Sequence, residues 1–253
     1  MLQVQQGGAD WQEARLGKVT ASRVHAVLFD GRGAETYARE VVTERLTAER
    51  ANSFQTAAMQ WGLNLEADAR RLYERMRVTR VDLVGFIDHP SIQWSGCSPD
   101  GLVSNCGLIE IKCPQPQTHL RFLQSQKIQP RYLSQMQWQL ACTGRDWVDF
   151  LSYDPRAEKA DRLAMVRVHR DEAYISRLER AVIRFLENVE KQVRHGSGLH
   201  AIAPVSTDRQ LPPQSSASQA SRSTRPSKSE STEDNIWIWI VIGVVVLIWL
   251  FGK

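Results

Sequence analysis

Cys97-Ser98-Pro99-Asp100-Gly101-Leu102-Val103-Ser104-Asn105-Cys106-Gly107-Leu108-Ile109-Glu110-Ile111-Lys112-Cys113-Pro114 decides how the chain folds. The stretch predicts a tight β-hairpin carrying three ionisable side chains. Asp100 falls where the first strand turns. The run from Gly107 to Lys112 alternates, so Leu108, Glu110 and Lys112 share one face. Two carboxylates and an ammonium converging on one spot are costly to hold together. A divalent cation makes the arrangement tolerable, because hard ions such as Mg²⁺ prefer carboxylate oxygens. The lysine can then face a water or a phosphate. The alternative is a surface hairpin whose charges face water.

Upstream the pattern is helical. Trp11 to Gly17 predicts a short helix closed by glycine, and Ser22 or Thr20 is a natural N-cap for a helix through Val24, Val27 and Leu28. Helices are predicted over 34–51 and 55–76, the second with Leu65, Ala69, Leu72 and Tyr73 on its apolar stripe and Glu66 beside it. Strands over 78–87 and 92–97 lead into the hairpin as a three-strand meander. Beyond it, 115–126 predicts a helix, and Pro130 opens another that Gly144 ends. Strands at 147–153 and 163–168 follow, then a helix capped by Asp171 and running to about Val193. This order gives an α/β domain with a mixed β-sheet flanked by helices.

The 253 residues carry 32 Lys+Arg against 28 Asp+Glu, a net charge of +4. Five of those cations and four of those anions lie beyond residue 203, so residues 1–203 are at +3. A polyanion site must therefore come from local charge arrangement. Cys97, Cys106, Cys113 and Cys142 contain no Cys-x-x-Cys pair, which argues against a disulfide framework or zinc ribbon and for reduced thiols in a cytoplasm.

Composition divides the chain into a domain over 1–203, a Ser/Pro-rich linker over 204–235 expected to be disordered, and an apolar segment over 236–253. Residues 236–251 are uncharged and apolar. As a helix they would reach about 24 Å, short of the roughly 30 Å hydrocarbon core. Trp237, Trp239 and Trp249 suit an aromatic belt and Lys253 can snorkel. The segment is expected to be a C-terminal membrane anchor; the alternative is an apolar tail that docks on protein.

Pro99-Asp100 followed by Glu110-x-Lys112 is the pattern of metal-dependent nucleases. Read with Trp11-x-x-x-Arg15-x-Gly17-x-x-Thr20-Ala21-Ser22, Trp61-Gly62-x-x-x-Glu66-x-Asp68-Ala69-Arg70, Tyr132-x-x-Gln135-x-Gln137 and Tyr153-Asp154-Pro155-Arg156, it resembles the YqaJ-like viral recombinase nucleases, the lambda-exonuclease family of the PD-(D/E)xK superfamily. The resemblance spans about residues 11–195 and leaves the linker and apolar segment unexplained.

It implies a restriction-endonuclease-like PD-(D/E)xK core and a Mg²⁺-dependent exonuclease, two ions with Mn²⁺ able to substitute. That enzyme degrades one strand of linear double-stranded DNA 5′→3′, releases 5′-mononucleotides and leaves 3′ overhangs for single-strand-annealing recombination. It implies a homotrimer around DNA and an annealing-protein partner. Asp100, Glu110 and the Ile111 carbonyl would hold metal, Lys112 would orient or deprotonate the attacking water, and Glu66 and Gln135 would complete the catalytic set. Arg15, Ser22 and Ser98 would bind the terminal 5′-phosphate. Trp11 is expected to pack, His25 and His119 to be structural. Two other functions remain open. One is a nuclease tethered to the inner face of a membrane in a host or bacterial cytoplasm, degrading invading or host DNA. The other is a catalytically silent membrane-anchored DNA-binding scaffold.

Overall fold

The computed structural model describes residue 6 and residues 8–29, 31–50 and 57–200. All belong to one compact unit, Met1–Pro204. The expected linker and apolar segment lie outside the described residues. Among the described residues no helix is long and apolar enough to cross a membrane.

Helices lead. α1 (Ala9–Arg15) is followed by β1 (Val19–Thr20), a 3₁₀ turn over Ala21–Arg23, and α2 (Val24–Leu28). α3 (Arg32–Thr47) and α4 (Ala57–Arg77) come next. The short strands β2 (Val81–Asp82), β3 (Ile87–Asp88), β4 (Ser95–Cys97) and β5 (Gly101–Val103) lead to β6 (Gly107–Lys112). α5 (Pro116–Ser125), α6 (Pro130–Thr143), β7 (Trp147–Tyr153), β8 (Leu163–His169) and α7 (Glu172–His200) complete the order.

The expected single meander is instead divided between two sheets. β2-β5-β6-β7-β8 form one sheet, in which β6 and β7 are parallel and the other pairs antiparallel. β1-β4-β3 form the other. Pro99 lies between them. It has no amide N–H with which to extend a ladder, so the chain leaves one sheet at Cys97 and enters the next at Gly101. Asp100 sits at that crossing. A side chain at Gly101 would put its Cβ 2.1 Å from Val81 Cγ1, so β5 can close on β2 only with glycine there.

β6 separates two cores. Ile109 and Ile111 pack with Leu151, Ala69 and Tyr73 on the α4 side. Leu108 packs with Val148, Phe150, Met136 and Leu140 on the α6 side. The alternation therefore puts Glu110 and Lys112 toward α6, as the sequence predicts. A third core joins α2, α3, α6 and α7. Pro130 and Gly144 bound α6 as expected, Gly144 at φ +67°. Asp171 caps α7 through its Oδ1, which accepts the Tyr174 N–H at 2.9 Å. The expected Ser22 or Thr20 N-cap does not form: Thr20 precedes the 3₁₀ turn without a side-chain cap bond, and Ser22 lies inside that turn. The four cysteines are free thiols.

Two buried charges hold the second half together. Asp149, 1% exposed, accepts Arg167 Nε at 2.7 Å and Nη2 at 2.8 Å, and Tyr73 Oη at 2.8 Å, so its oxygens stay paired away from water. His89 stacks on Trp138 with ring centroids 4.9 Å apart, and its Nδ1 accepts the Ile92 N–H at 3.1 Å. Its buried Nε2 has no hydrogen-bond partner, with Glu179 Oε1 3.5 Å away. Burial lowers the His89 pKa and Glu179 only partly opposes it.

A lowered histidine pKa makes the unfolded chain bind more protons than the folded one, so stability is full above about pH 6.5 and falls as pH drops below it. Unfolding midpoints measured from pH 7.5 to 5 should decline. The decline should be shallower in His89→Asn, whose Oδ1 keeps the acceptor without a titrating ring. Equal slopes would contradict this.

Candidate active site

The site begins where Asp100 crosses between sheets. Its Oδ2 accepts the Ile111 N–H at 2.6 Å, which fastens the crossing to the end of β6. Glu110 is 1% exposed. Its Oε1 accepts Lys112 Nζ, and also Gln135 Nε2 at 2.7 Å. Its Oε2 accepts Gln139 Nε2 at 2.6 Å. Both oxygens of a buried carboxylate are thus occupied by donors, as burial of a charge demands.

Gln139 was not among the predicted site residues. It lies four residues after Gln135 on α6, so the two amides fall on one helix face, and that spacing was the available signal. Gln137 points elsewhere: its Nε2 donates to the His169 carbonyl at 2.8 Å and its Oε1 accepts the Asp171 N–H at 2.9 Å. Gln139 Oε1 is buried without a partner, so holding Glu110 carries an unsatisfied carbonyl with it.

The electrostatics show how crowded the site is. Burial, Glu110 and Glu66 raise the Asp100 pKa well above the usual carboxylate range. Burial raises Glu66, on α4, with Lys112 opposing and Glu110 adding to the rise. Burial alone would lower Lys112, but Glu110 and Asp100 more than offset it and hold the side chain as an ammonium. Cys113 is pushed up to about 12 by burial, with Glu66 and Asp100 adding to it, which makes it an inert thiol.

This donor set suits a hard divalent cation. Mg²⁺ is commonly held by one or two carboxylates and keeps several waters. Asp100, Glu110 and the Ile111 backbone are adjacent at the end of β6. No group of three or more His, Cys, Asp or Glu side chains stands ready to hold a metal among the described residues. Glu66 therefore belongs to the electrostatic neighbourhood and not to a closed ligand cage.

Beside the acids lies a second cluster. Trp11 Nε1 donates to Ser98 Oγ at 2.9 Å, and the Arg15 guanidinium lies over the Trp11 ring at 4.0 Å. Trp11 does more than pack: it joins Arg15 to the segment that carries Asp100. Burial, with Arg50 adding to it, lowers the Arg15 pKa to about 10, which marks a cation short of counter-charge. Gly17, at φ +66°, makes the turn after α1, its N–H donating to Glu44 Oε2 at 2.9 Å and its carbonyl accepting Arg45 Nε at 2.9 Å. Ser22 is exposed, with its Oγ 3.3 Å from Thr20 Oγ1. The fold thus brings Arg15 and Ser98 together through Trp11, and no direct bond ties Ser22 to either.

Residues 10–146, more than half of the 253, match the YqaJ-like viral recombinase domain. Two crystal structures of LHK-Exo, an alkaline exonuclease from Laribacter hongkongensis, are 43% identical with a TM-score of 0.74. Each match covers 77% of this chain and 98% of theirs, and one of the two is a complex with dAMP. A phage-related exonuclease from Haemophilus somnus 129PT is 16% identical at a TM-score of 0.56, covering 70% of this chain and 96% of its own, and shows the shared fold alone. No curated protein sequence matches. By the domain it matches and the relatives it resembles along most of its length, the chain belongs to the YqaJ-like viral recombinase family.

Proposed function

We propose that the protein is an exonuclease that hydrolyses one strand of linear double-stranded DNA 5′→3′, releasing 5′-mononucleotides and leaving 3′ overhangs for annealing-type recombination. The observation that carries this reading is the Arg15–Trp11–Ser98 link, which ends two residues before Asp100. It sets an under-neutralised guanidinium and a hydroxyl beside an acid–lysine cluster. The alkaline exonuclease relatives, one bound to dAMP, support the same substrate class.

Arg15, Ser98 and Ser22 would bind the 5′-terminal phosphate, the guanidinium supplying paired donors to a dianion. The scissile phosphate would then lie over Asp100, Glu110 and Lys112. Water attacks phosphorus and the bond to the 3′ oxygen of the terminal nucleotide breaks, that oxygen taking a proton. The phosphate stays on the shortened strand, so each cut regenerates the group that the Arg15 pocket binds. Mg²⁺, or Mn²⁺ in its place, held by Asp100, Glu110 and the Ile111 carbonyl, supplies Lewis-acid stabilisation of developing negative charge when bound. Lys112 donates hydrogen bonds to the water or to a non-bridging oxygen, and Gln135 orients the phosphate through its amide. Gln139 fixes Glu110 from behind.

A homotrimer encircling DNA and an annealing protein that coats the overhang belong to this proposal. The apolar run over 236–251 favours one addition. It would tether the domain to the inner face of a membrane in a host or bacterial cytoplasm, where the same chemistry could also degrade incoming DNA. The silent-scaffold reading is disfavoured by a site in which Asp100, Glu110, Lys112 and Gln135 are all present and bonded.

Digestion of linear duplex labelled at either end tests the reaction. With Mg²⁺, the 5′ label should be released first and faster from 5′-phosphorylated than from 5′-hydroxyl ends. Arg15→Ala should abolish that preference, and Lys112→Ala should slow cleavage by about 10²-fold or more. Early loss of the 3′ label, or no cleavage by the wild type, would contradict it. Gln139→Met removes the donor to Glu110 together with its own unpaired carbonyl, so unfolding stability should change little. Turnover should fall about tenfold, a loss of about 1.4 kcal/mol in barrier stabilisation, with duplex affinity retained. Unchanged turnover would remove Gln139 from the site.

A further inference from the structure

A recess of about 210 Å³ lies between α4 and the loop joining β7 to β8. Arg71, Arg75, Lys159 and Arg162 line it, over a floor of Leu72 and Tyr153. Asp68 is also in its wall and pairs with Arg71. The other three cations have no ion-pair partner among the described residues; Arg162 Nε donates to the Ala157 carbonyl at 3.2 Å. Arg75 and Arg162 both act on the Tyr153 hydroxyl, lowering a pKa that burial raises, so their charge is directed into the recess. Three converging cations over an apolar floor repel one another, and an anion relieves that repulsion.

The loop is braced. His119, 1% exposed, has its Nδ1 2.8 Å from Ser152 Oγ and its Nε2 2.7 Å from the Asp161 carbonyl. A neutral imidazole that donates at Nε2 and accepts at Nδ1 satisfies both contacts. It pins the segment that carries Lys159 and Arg162 to α5. Glu158 and Asp161 are on the same loop but are not part of the lining. The recess also lies at the catalytic end of the sheet. Tyr153 follows Ser152, and Ser152 pairs with Lys112 across parallel β6 and β7, neighbouring strands about 4.8 Å apart.

We propose that this recess binds a phosphate group, and that the group is a backbone phosphate of the bound DNA, one strand of the sheet away from the catalytic lysine. The polymer's identity rests on the exonuclease reading; the phosphate chemistry does not. Such a contact holds the duplex while the terminal nucleotide leaves.

The full-length chain carrying Lys112→Ala binds without cutting, so affinity for 5′-phosphorylated duplex can be read from 50 to 200 mM salt. Adding Arg75→Ala and Lys159→Ala should reduce the log–log salt slope by about 1.8, about 0.9 for each phosphate contact. The parent should then lose about 12-fold more affinity than the variant across that range. A variant with the same charge loss on α3, Arg32→Ala with Arg39→Ala, should change the slope less. A second arm reads the unfolding midpoint with inorganic phosphate and with dAMP. If the recess variant loses that stabilisation while its DNA slope is unchanged, the phosphate site stands, but the backbone assignment is overturned in favour of a free nucleotide or phosphate. No change in either arm, or equal slope changes in the two double variants, overturns the proposal entirely. Because the parent does not cleave, failure of the exonuclease reading would appear separately, in digestion by the wild type.

Discussion

Glu110 is a carboxylate with almost no contact with water, set in a strand whose other inward side chains are leucine and isoleucine. An ion in that position is tolerated only when charged or dipolar groups replace the lost hydration. Lys112 and Gln135 do so at one oxygen and Gln139 at the other. The fold is arranged to deliver these groups. Parallel pairing of β6 with β7 buries β6 on both faces, and α6 crosses with two amides one turn apart. Pro99 turns the chain out of one sheet so that Asp100 arrives at the Ile111 N–H.

The same constraint explains why the acids are poised and not merely clustered. Asp100, Glu110 and Glu66 raise one another's proton affinity where burial already favours the neutral form. Lys112 offsets part of that repulsion at the cost of being held tightly itself. Such a site is best completed by a cation and a phosphate together, which is the combination that phosphodiester hydrolysis brings. The Arg15 pocket repeats the theme with opposite sign. A half-buried guanidinium stacked on Trp11 lacks full counter-charge until an anion binds.

Local patterning carried much of this. Strict alternation over 147–153 marked β7 at its observed bounds, and the same period in 107–112 put Glu110 and Lys112 on one face. Pro130 and Gly144 marked both ends of α6 because their backbone preferences act within one or two residues. What was not legible depends on contacts between distant segments. Gln139 meets Glu110 across 29 positions, and Trp11 meets Ser98 across 87. The division of the expected meander followed from Pro99 lacking a donor, a local cue outweighed by the apolar runs on either side. Ser22 had a capping residue's chemistry, but the chain takes a 3₁₀ turn there and leaves the hydroxyl exposed. In each case a residue's own preference was clear and its partner was not.

The central claim is that Asp100 and Glu110 form one cation-responsive unit. It is tested most directly by the unfolding midpoint of the full-length chain as Mg²⁺ is raised, compared with Asp100→Asn. A ligand that binds the folded state alone stabilises by about 2.7 kcal/mol at a hundredfold excess over its dissociation constant. The wild-type midpoint should climb with Mg²⁺ and saturate while that of Asp100→Asn stays flat. Parallel curves for the two proteins would contradict it.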